Sequence, residues 1–167
     1  MAKYAVLNTD RMSGTEDSSQ LLSVKYYDAN DKEAAIENAS IVKIGALLDG
    51  EREVRKVTAP AGTEKINEIA LIGNPELIYD ETTHHNLEDY INEAGQVIRA
   101  FRLHQNDGFS ASAEAFDGTP AKGKYVIVGN TPKMKIANSV TNETVIGKID
   151  EVWTLGGTTY YYVQVAM

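Results

Sequence analysis

Residues 93–128 constrain the fold of this chain more than any other stretch. They read as a run of short strands interrupted at two Asp-Gly pairs, 107–108 and 117–118, and at Gly123. Such positions are typical of tight turns in antiparallel sheets, because Gly reaches positive φ without steric cost and Asp tolerates the left-handed region. The stretch therefore predicts an antiparallel sheet, and it has no residue arranged for chemistry.

The composition is that of a folded protein without disulfides. The chain has 167 residues, the size of one ordinary domain, and its 43% hydrophobic and 24% charged residues are normal for a globular protein. Because it has no cysteine, disulfides, thiolate nucleophiles and cysteine-ligated metals are excluded.

The charge argues against one class of partner. The formal net charge is -8, and acidic residues occur in both halves of the chain. Nucleic-acid binders need a basic face that neutralises phosphates, so we expect no nucleic-acid partner. No apolar run approaches the roughly 20 residues that span a bilayer. The first residues also lack the apolar stretch of a secretory signal, so we expect no membrane partner.

Short segments rich in β-branched residues, separated by Gly, Pro and Asp, predict a mostly β protein. The fold that we expect is a small antiparallel β-barrel or sandwich with one or two short helices and a polar N-terminal segment. The best helical segment is residues 86–92, where Asn86 can cap and Asp89 suits the helix dipole. Gly156 and Gly157 predict a hairpin. The predicted strands are residues 4–8, 21–27, 41–50 and 68–75 (both including a closing turn), 124–128, 134–137, 144–153 and 158–165.

The N-terminal residues allow two interpretations. Residues 13–19 are polar, and they form either a loop between the first two strands or an arm that orders only against a partner. The strand-like residues 3–7 favour the loop. We divide the chain into residues 1–30, a strand with a polar arm-like segment, and residues 31–167, a single β-rich domain.

No residue pattern is arranged for catalysis, so we expect neither an enzyme nor a cofactor. His84 and His85 lie among carboxylates, but adjacent histidines point in different directions, which favours an exposed loop over a metal site. His104 falls on the polar side of a strand alternation. Ser110 and Ser112 lack the Gly-x-Ser-x-Gly turn that exposes a nucleophile. The least favoured alternative is a metal-assisted hydrolase that uses Asp80, His84, His85 and Glu88.

Aromatic residues near the C-terminus could form a binding surface. Trp153 and the run 160–162 have rings with one polar end, a type favoured at protein interfaces and on sugar-binding surfaces. The same residues suit strand faces, and packing within the sheet is the default interpretation. Strand alternation places Tyr160 and Tyr162 on one face and Tyr161 on the other.

One longer pattern points to a family. Residues 93–100, 107–112 and 116–121, followed by 123–126, show a strand after Ala-Gly, an Arg, a turn, and then Asp-Gly-Thr-Pro-Ala before another strand. Here the chain resembles small β-rich structural proteins of tailed bacteriophages, the decoration or cement proteins that accompany the major capsid protein. The resemblance covers about residues 86–167 and supplies no catalytic residues.

The resemblance implies a structural virion protein that binds the outer surface of a phage capsid and stabilises it. Its partners would be the major capsid protein and other copies of itself, as a homotrimer or as lattice neighbours. It would be assembled in the host cytoplasm, and no metal would be needed. The alternative is a phage tail or baseplate component with a carbohydrate- or protein-binding β domain. The residues that we expect to contact the capsid or another partner are Asp10, Arg11, Ser13, Thr15, Tyr26 and Tyr27.

Overall fold

The chain folds into short strands joined by turns. A computed structural model describes residues 3–78 and 86–166. Within these residues, five 3₁₀ turns lie at Ser13–Thr15, Ser18–Gln20, Ile66–Glu68, Leu87–Asp89 and Ala113–Ala115. None of the described helical turns is long and apolar enough to cross a membrane. The described strands are β1 Leu7–Arg11, β2 Leu21–Tyr26, β3 Ile41–Leu47, β4 Val54–Thr58, β5 Ile69–Ile72, β6 Ile98–Arg102, β7 Gly108–Ser112, β8 Phe116–Asp117, β9 Tyr125–Ile127, β10 Met134–Ala137, β11 Val145–Leu155 and β12 Thr158–Val165.

Strands β2 to β6 close into a barrel in the order β2-β4-β3-β5-β6. β2 and β4 run parallel, and the other neighbouring pairs of the barrel are antiparallel. The interior of so small a barrel has room only for compact side chains. Those buried inside are Val24, Val42, Val57, Ala70, Ile72, Ile98 and Ala100. Closure gives each of these strands a neighbour on both sides.

The remaining described strands form an open sheet in the order β1-β7-β12-β11-β9-β10-β8. β10 and β8 run parallel at one edge, and the other pairs are antiparallel. β11 and β12 form the predicted hairpin. Its two turn residues, Gly156 and Gly157, have φ values of 59° and 86°, the positive values that a type I′ turn requires.

One hydrophobic core joins the barrel to the open sheet. Phe101 from β6 and Phe109 from β7 are both buried in it. The Phe101 ring lies against Gly14 and Gly73, where a Cβ would come within 2.8 and 2.7 Å of ring carbons. These contacts are too close for any side chain larger than glycine, so Phe101 holds the N-terminal turn, the barrel and the sheet together.

The predicted fold class is confirmed: the protein is mostly β and contains a small closed barrel. The first strand differs from the prediction, since it runs from Leu7 to Arg11 instead of over residues 4–8. The reason is that the Tyr4 N–H donates to the Glu88 carbonyl at 2.8 Å, and the Ala5 N–H donates to the Glu37 carboxylate at 2.9 Å. Residues in loops therefore accept the hydrogen bonds of these two N–H groups, which a neighbouring strand would otherwise have accepted.

The helix predicted over residues 86–92 is wrong. Only Leu87–Asp89 forms a 3₁₀ turn, in which the Asp89 carboxylate accepts a hydrogen bond from the Asn86 N–H at 3.1 Å. Tyr90 leaves this turn in an extended conformation and is buried. Its hydroxyl accepts from Asn74 Nδ2 at 3.0 Å and donates to Asn92 Oδ1 at 3.1 Å. This interior network ends the helix after one turn.

Candidate functional site

The residues predicted to contact a partner fall into two groups. Tyr26 and Tyr27 lie at one end of β2, and residues 10–15 lie beside the other end, about 16 Å away along this six-residue strand. Four of the predicted residues line one shallow cleft of about 370 Å³, namely Asp10, Arg11, Ser13 and Thr15. The structure thus brings four of them together and separates the other two. The division of the chain at residue 30 stays a prediction.

Asp107 fixes the N-terminal segment to the open sheet. It is 2% exposed, and its Oδ1 accepts hydrogen bonds from the Ser13 N–H at 2.8 Å and from the Ser13 hydroxyl. Its Oδ2 accepts from the His104 N–H at 2.9 Å. A buried carboxylate with several donors is held firmly, because hydrogen bonds to charged groups are the stronger ones. The residues around Ser13 are therefore packed against the domain in this structure.

A chain of hydrogen bonds crosses the sheet surface from β11 to β1. Trp153 Nε1 donates to Ser110 Oγ at 3.3 Å, and Ser110 Oγ donates to Asp10 Oδ2 at 2.6 Å. Ser110 is fully buried, so water competes little for either bond. Asp10 and Trp153 are therefore held in place before any partner binds.

Aromatic rings flank this chain of hydrogen bonds. Trp153 stacks on Tyr160, with ring centroids 4.7 Å apart and planes inclined by 22°. The Tyr162 hydroxyl lies over Gly108, where a Cβ would collide with it. Tyr161 packs against the shared core, as the predicted alternation requires. We call the opposite side of the sheet the outer face, defined by Asp10, Ser110, Trp153, Tyr160, Tyr162 and Gln164.

The centre of the outer face consists of neutral aromatic and amide groups. Burial raises the pKa of the Tyr160 hydroxyl above its ordinary value of 10.0, and the carboxylates of Glu76 and Glu88 add to the shift. Tyr160 therefore stays neutral through the whole neutral range. Tyr162 donates to Gln164 Oε1 at 3.3 Å, and Gln164 Nε2 donates to the Asp107 carbonyl at 3.2 Å. The face is thus a row of neutral rings and amides next to Asp10. The register also places Lys148 opposite Gln164 and Glu151 opposite Tyr162, so charged side chains lie on the β11 side of this row.

Tyr27 contacts residues of its own chain at one end of the barrel. The Lys56 ammonium lies 4.8 Å from the centroid of its ring, a cation–π contact. The Tyr27 hydroxyl donates to Glu33 Oε1 at 3.4 Å, and its N–H donates to the Val57 carbonyl at 2.9 Å. These contacts tie Tyr27 to its own chain.

Tyr26 lines a different cleft, of about 450 Å³, between the barrel and the open sheet. Ile36 and Pro132 form apolar parts of the wall. The charged lining residues are Asp117, Lys133 and Glu37, and the last of these already accepts the Ala5 N–H. Burial raises the pKa of the Tyr26 hydroxyl above 10.0, and Asp28 adds to the shift. We call this space the Tyr26 cleft.

The residues considered for catalysis have structural partners where the structure describes them. His104 Nε2 lies 2.6 Å from Gln20 Oε1, and Glu88 pairs with Lys3 at 2.9 Å. Asp80, His84 and His85 lie outside the described residues. Over residues 3–78 and 86–166, no group of three His, Asp or Glu side chains is placed to hold a metal ion.

Two features of the site have no counterpart in the sequence analysis. Asp107 was recognisable only as a turn residue, because its bond to Ser13 joins segments that are far apart in the chain. The second feature is an asparagine network, in which Asn38 Oδ1 accepts from the Asn74 N–H at 3.0 Å and from Asn92 Nδ2 at 3.1 Å. Asparagine is common in turns, so nothing in the neighbouring sequence distinguishes these three asparagines from ordinary turn residues.

Comparison with known protein families, with curated proteins and with solved structures gives no match to this chain. The similarity to phage decoration proteins therefore remains a resemblance of sequence pattern over residues 86–167. In the structure, those residues supply β6 to β12, which is the last strand of the barrel and most of the open sheet.

Proposed function

We propose that this chain is a structural virion protein that binds the outer surface of a phage capsid and stabilises it, with the outer face as its docking surface. One observation carries the proposal: the partly exposed Trp153 ring, held by its stack on the buried Tyr160, shares this face with Asp10, one of the expected contact residues. The resemblance supports it, because the aromatic rings of the outer face all belong to residues 86–167.

Rigid aromatic side chains are well suited to protein binding. Trp and Tyr are enriched among the residues that dominate binding energy, since their rings bury a large area. Trp153 is already fixed by its stack and its hydrogen bond. Binding would therefore cost little additional side-chain entropy. Many copies on a symmetric lattice would then reinforce the shell even if each single contact is weak.

Empty capsids of the phage that encodes the chain provide the test. The purified protein should co-sediment with them stoichiometrically and raise their resistance to heat. Trp153→Ala should weaken binding by roughly tenfold or more. Leu47→Ala, an exposed change on the barrel, should leave binding unchanged. Absence of co-sedimentation would sink the capsid proposal, and equal binding by both variants would exclude the outer face.

A carbohydrate-binding tail or baseplate domain is the second candidate function. The observation that favours it is the stacked Trp153–Tyr160 pair on the same face as the Asp10 carboxylate and the Gln164 amide. Aromatic planes beside hydrogen-bonding groups are also suited to sugar rings. A glycan-array signal that disappears with Trp153→Ala, together with no capsid binding, would favour this function.

A further inference from the structure

The Tyr26 cleft has walls from five separate parts of the chain. Tyr26 ends β2, and Ile36 lies in the connection between β2 and β3. Pro132 lies between β9 and β10, and its carbonyl accepts from the Ile41 N–H at 2.7 Å. This bond fixes the two sides of the cleft relative to one another. The apolar wall is therefore preformed, as ligand sites of this size usually are.

Two hydroxyl groups that line this cleft are open to solvent and are not used by the described part of the protein itself. Ser40 is only 7% exposed, and its hydroxyl has no hydrogen-bond partner in the described part of the chain. The half-buried Tyr26 hydroxyl likewise has none among residues 3–78 and 86–166. A hydroxyl can both donate and accept, so each of these groups is available to a ligand that enters the cleft. The contrast with the outer face is clear, because Ser110 there both donates and accepts.

Charges of both signs line the same cleft. Asp117 and Lys133 are exposed, and neither forms an ion pair within the described residues. Asp117 belongs to β8, which is the last strand of the open sheet and has a neighbour on one side only. An unpaired strand edge offers backbone donors and acceptors to an added segment. A side-chain pocket next to such an edge can recognise an extended peptide, because the edge binds its main chain and the pocket binds one of its side chains.

We propose that the Tyr26 cleft binds an extended segment of a partner protein along the edge of β8. One apolar side chain of that segment enters between Ile36 and Pro132, and its main chain forms hydrogen bonds with the hydroxyls of Ser40 and Tyr26. A basic and an acidic residue of the segment, two positions on either side of the apolar one, meet Asp117 and Lys133. Residues two apart in an extended chain share a face, so all three side chains reach the cleft. This site is separate from the outer face and does not depend on the capsid proposal.

The probe is a capped pentapeptide of lysine, serine, leucine, serine and glutamate, together with the same peptide in reversed order. Titrated into ¹⁵N-labelled protein, one of the two should cause saturable shifts in the backbone amides of Ile36, Ser40 and Asp117. A version with serine in place of leucine should bind at least tenfold more weakly. Saturable binding with this preference for leucine supports the proposal, and no saturable shift with either order would overturn it.

Matched variants separate the cleft from other surfaces. Ala35→Trp should fill the cleft from an exposed position and abolish the shifts, while the variant keeps a folded amide spectrum. Ser40→Ala should weaken binding two- to tenfold, the effect of one neutral hydrogen bond. Leu47→Ala on the barrel should have no effect. Unchanged binding by Ala35→Trp would overturn the assignment, whatever the outcome of the capsid experiment.

Discussion

The barrel has no free strand edge, whereas the open sheet has two. In the barrel each strand has a neighbour on both sides, and its buried cluster consists of aliphatic side chains. The open sheet ends at β1 and β8, and one of its sides, the outer face, lies opposite the shared core. Both surfaces that we propose to bind partners lie on or beside the open sheet. The comparison teaches that free strand edges and an uncovered face occur only in the open sheet among the described strands, which is why both proposed surfaces involve it, although Tyr26 of the barrel also lines the cleft.

Phe101→Ala tests whether the two units are thermodynamically one. Because the ring lies in the shared core against Gly14 and Gly73, its loss should lower the free energy of unfolding by about 3–5 kcal/mol. Urea unfolding followed by Trp153 fluorescence, which reports on the sheet, and by circular dichroism should shift together. A separate transition that the substitution leaves unmoved would break the picture of one shared core. Leu47→Ala is the control.

Asp107→Ala tests how firmly the open sheet holds the N-terminal segment. The change removes the acceptor for the Ser13 N–H, the Ser13 hydroxyl and the His104 N–H. We expect a loss of about 2–3 kcal/mol in the free energy of unfolding, since a charged acceptor is removed from a buried site. Hydrogen exchange at Ser13 and His104 should accelerate. Asp49→Ala, in an exposed turn of the barrel, should show neither effect.

Glu64→Gln probes the barrel side of the comparison through pH. Burial alone would raise the pKa of the Glu64 carboxyl, but the N–H groups around Ala61 and the nearby Lys43 outweigh it and hold the pKa below 4.5. A lowered folded pKa stabilises the protein above pH 4.5, and this contribution is lost as the pH falls through the folded value. At pH 7 the variant should be less stable by about 1–2 kcal/mol.

The difference between Glu64→Gln and the unchanged protein should shrink when unfolding is measured below pH 4.5. Glu53→Gln, at an exposed position of the barrel, should show no such pH dependence. A difference that is constant from pH 7 to pH 3 would mean that the charge of Glu64 does not stabilise the loop.

Trp153→Phe has the smallest expected effect and concerns the outer face alone. It keeps a ring on Tyr160 but removes the indole N–H that Ser110 accepts. The free energy of unfolding should fall by about 0.5–1.5 kcal/mol, the contribution of one hydrogen bond. Leu155→Ala, at a hairpin position that is 63% exposed, should change stability by less than about 0.5 kcal/mol. Circular dichroism on both variants provides the measurement.

Several strands of the open sheet could be predicted from local sequence, but the bounds of its edge strand β1 and the closure of the barrel could not. β10 and β12 have the predicted bounds, because alternating or β-branched residues between turn signals act over only a few positions. The parallel pairing of β2 with β4 skips β3, and nothing within Val54–Thr58 indicates which neighbour it will have. Pairing across long sequence distances is decided by packing of the whole chain.

For the candidate site too, features set within one strand could be predicted, and features assembled from distant segments could not. The alternation that puts Tyr160 and Tyr162 on one face follows from strand geometry alone, and the structure has it. The Tyr26 cleft could be recognised only in part. Tyr26 was among the expected contact residues, but its cleft depends on Ser40 and Pro132, which come from other segments. Neither residue carries a local signal of function.

The pairings that complete this fold have a consequence for its synthesis. Barrel closure joins Leu21 to Phe101, and the edge of the open sheet joins Leu7 to Ala111. A nascent chain therefore cannot form either unit until more than half of it has left the ribosome. Contacts so distant in sequence also make folding slow, because long loops must close first. During that interval the early strands have unpaired edges and depend on dilution or chaperones to stay apart.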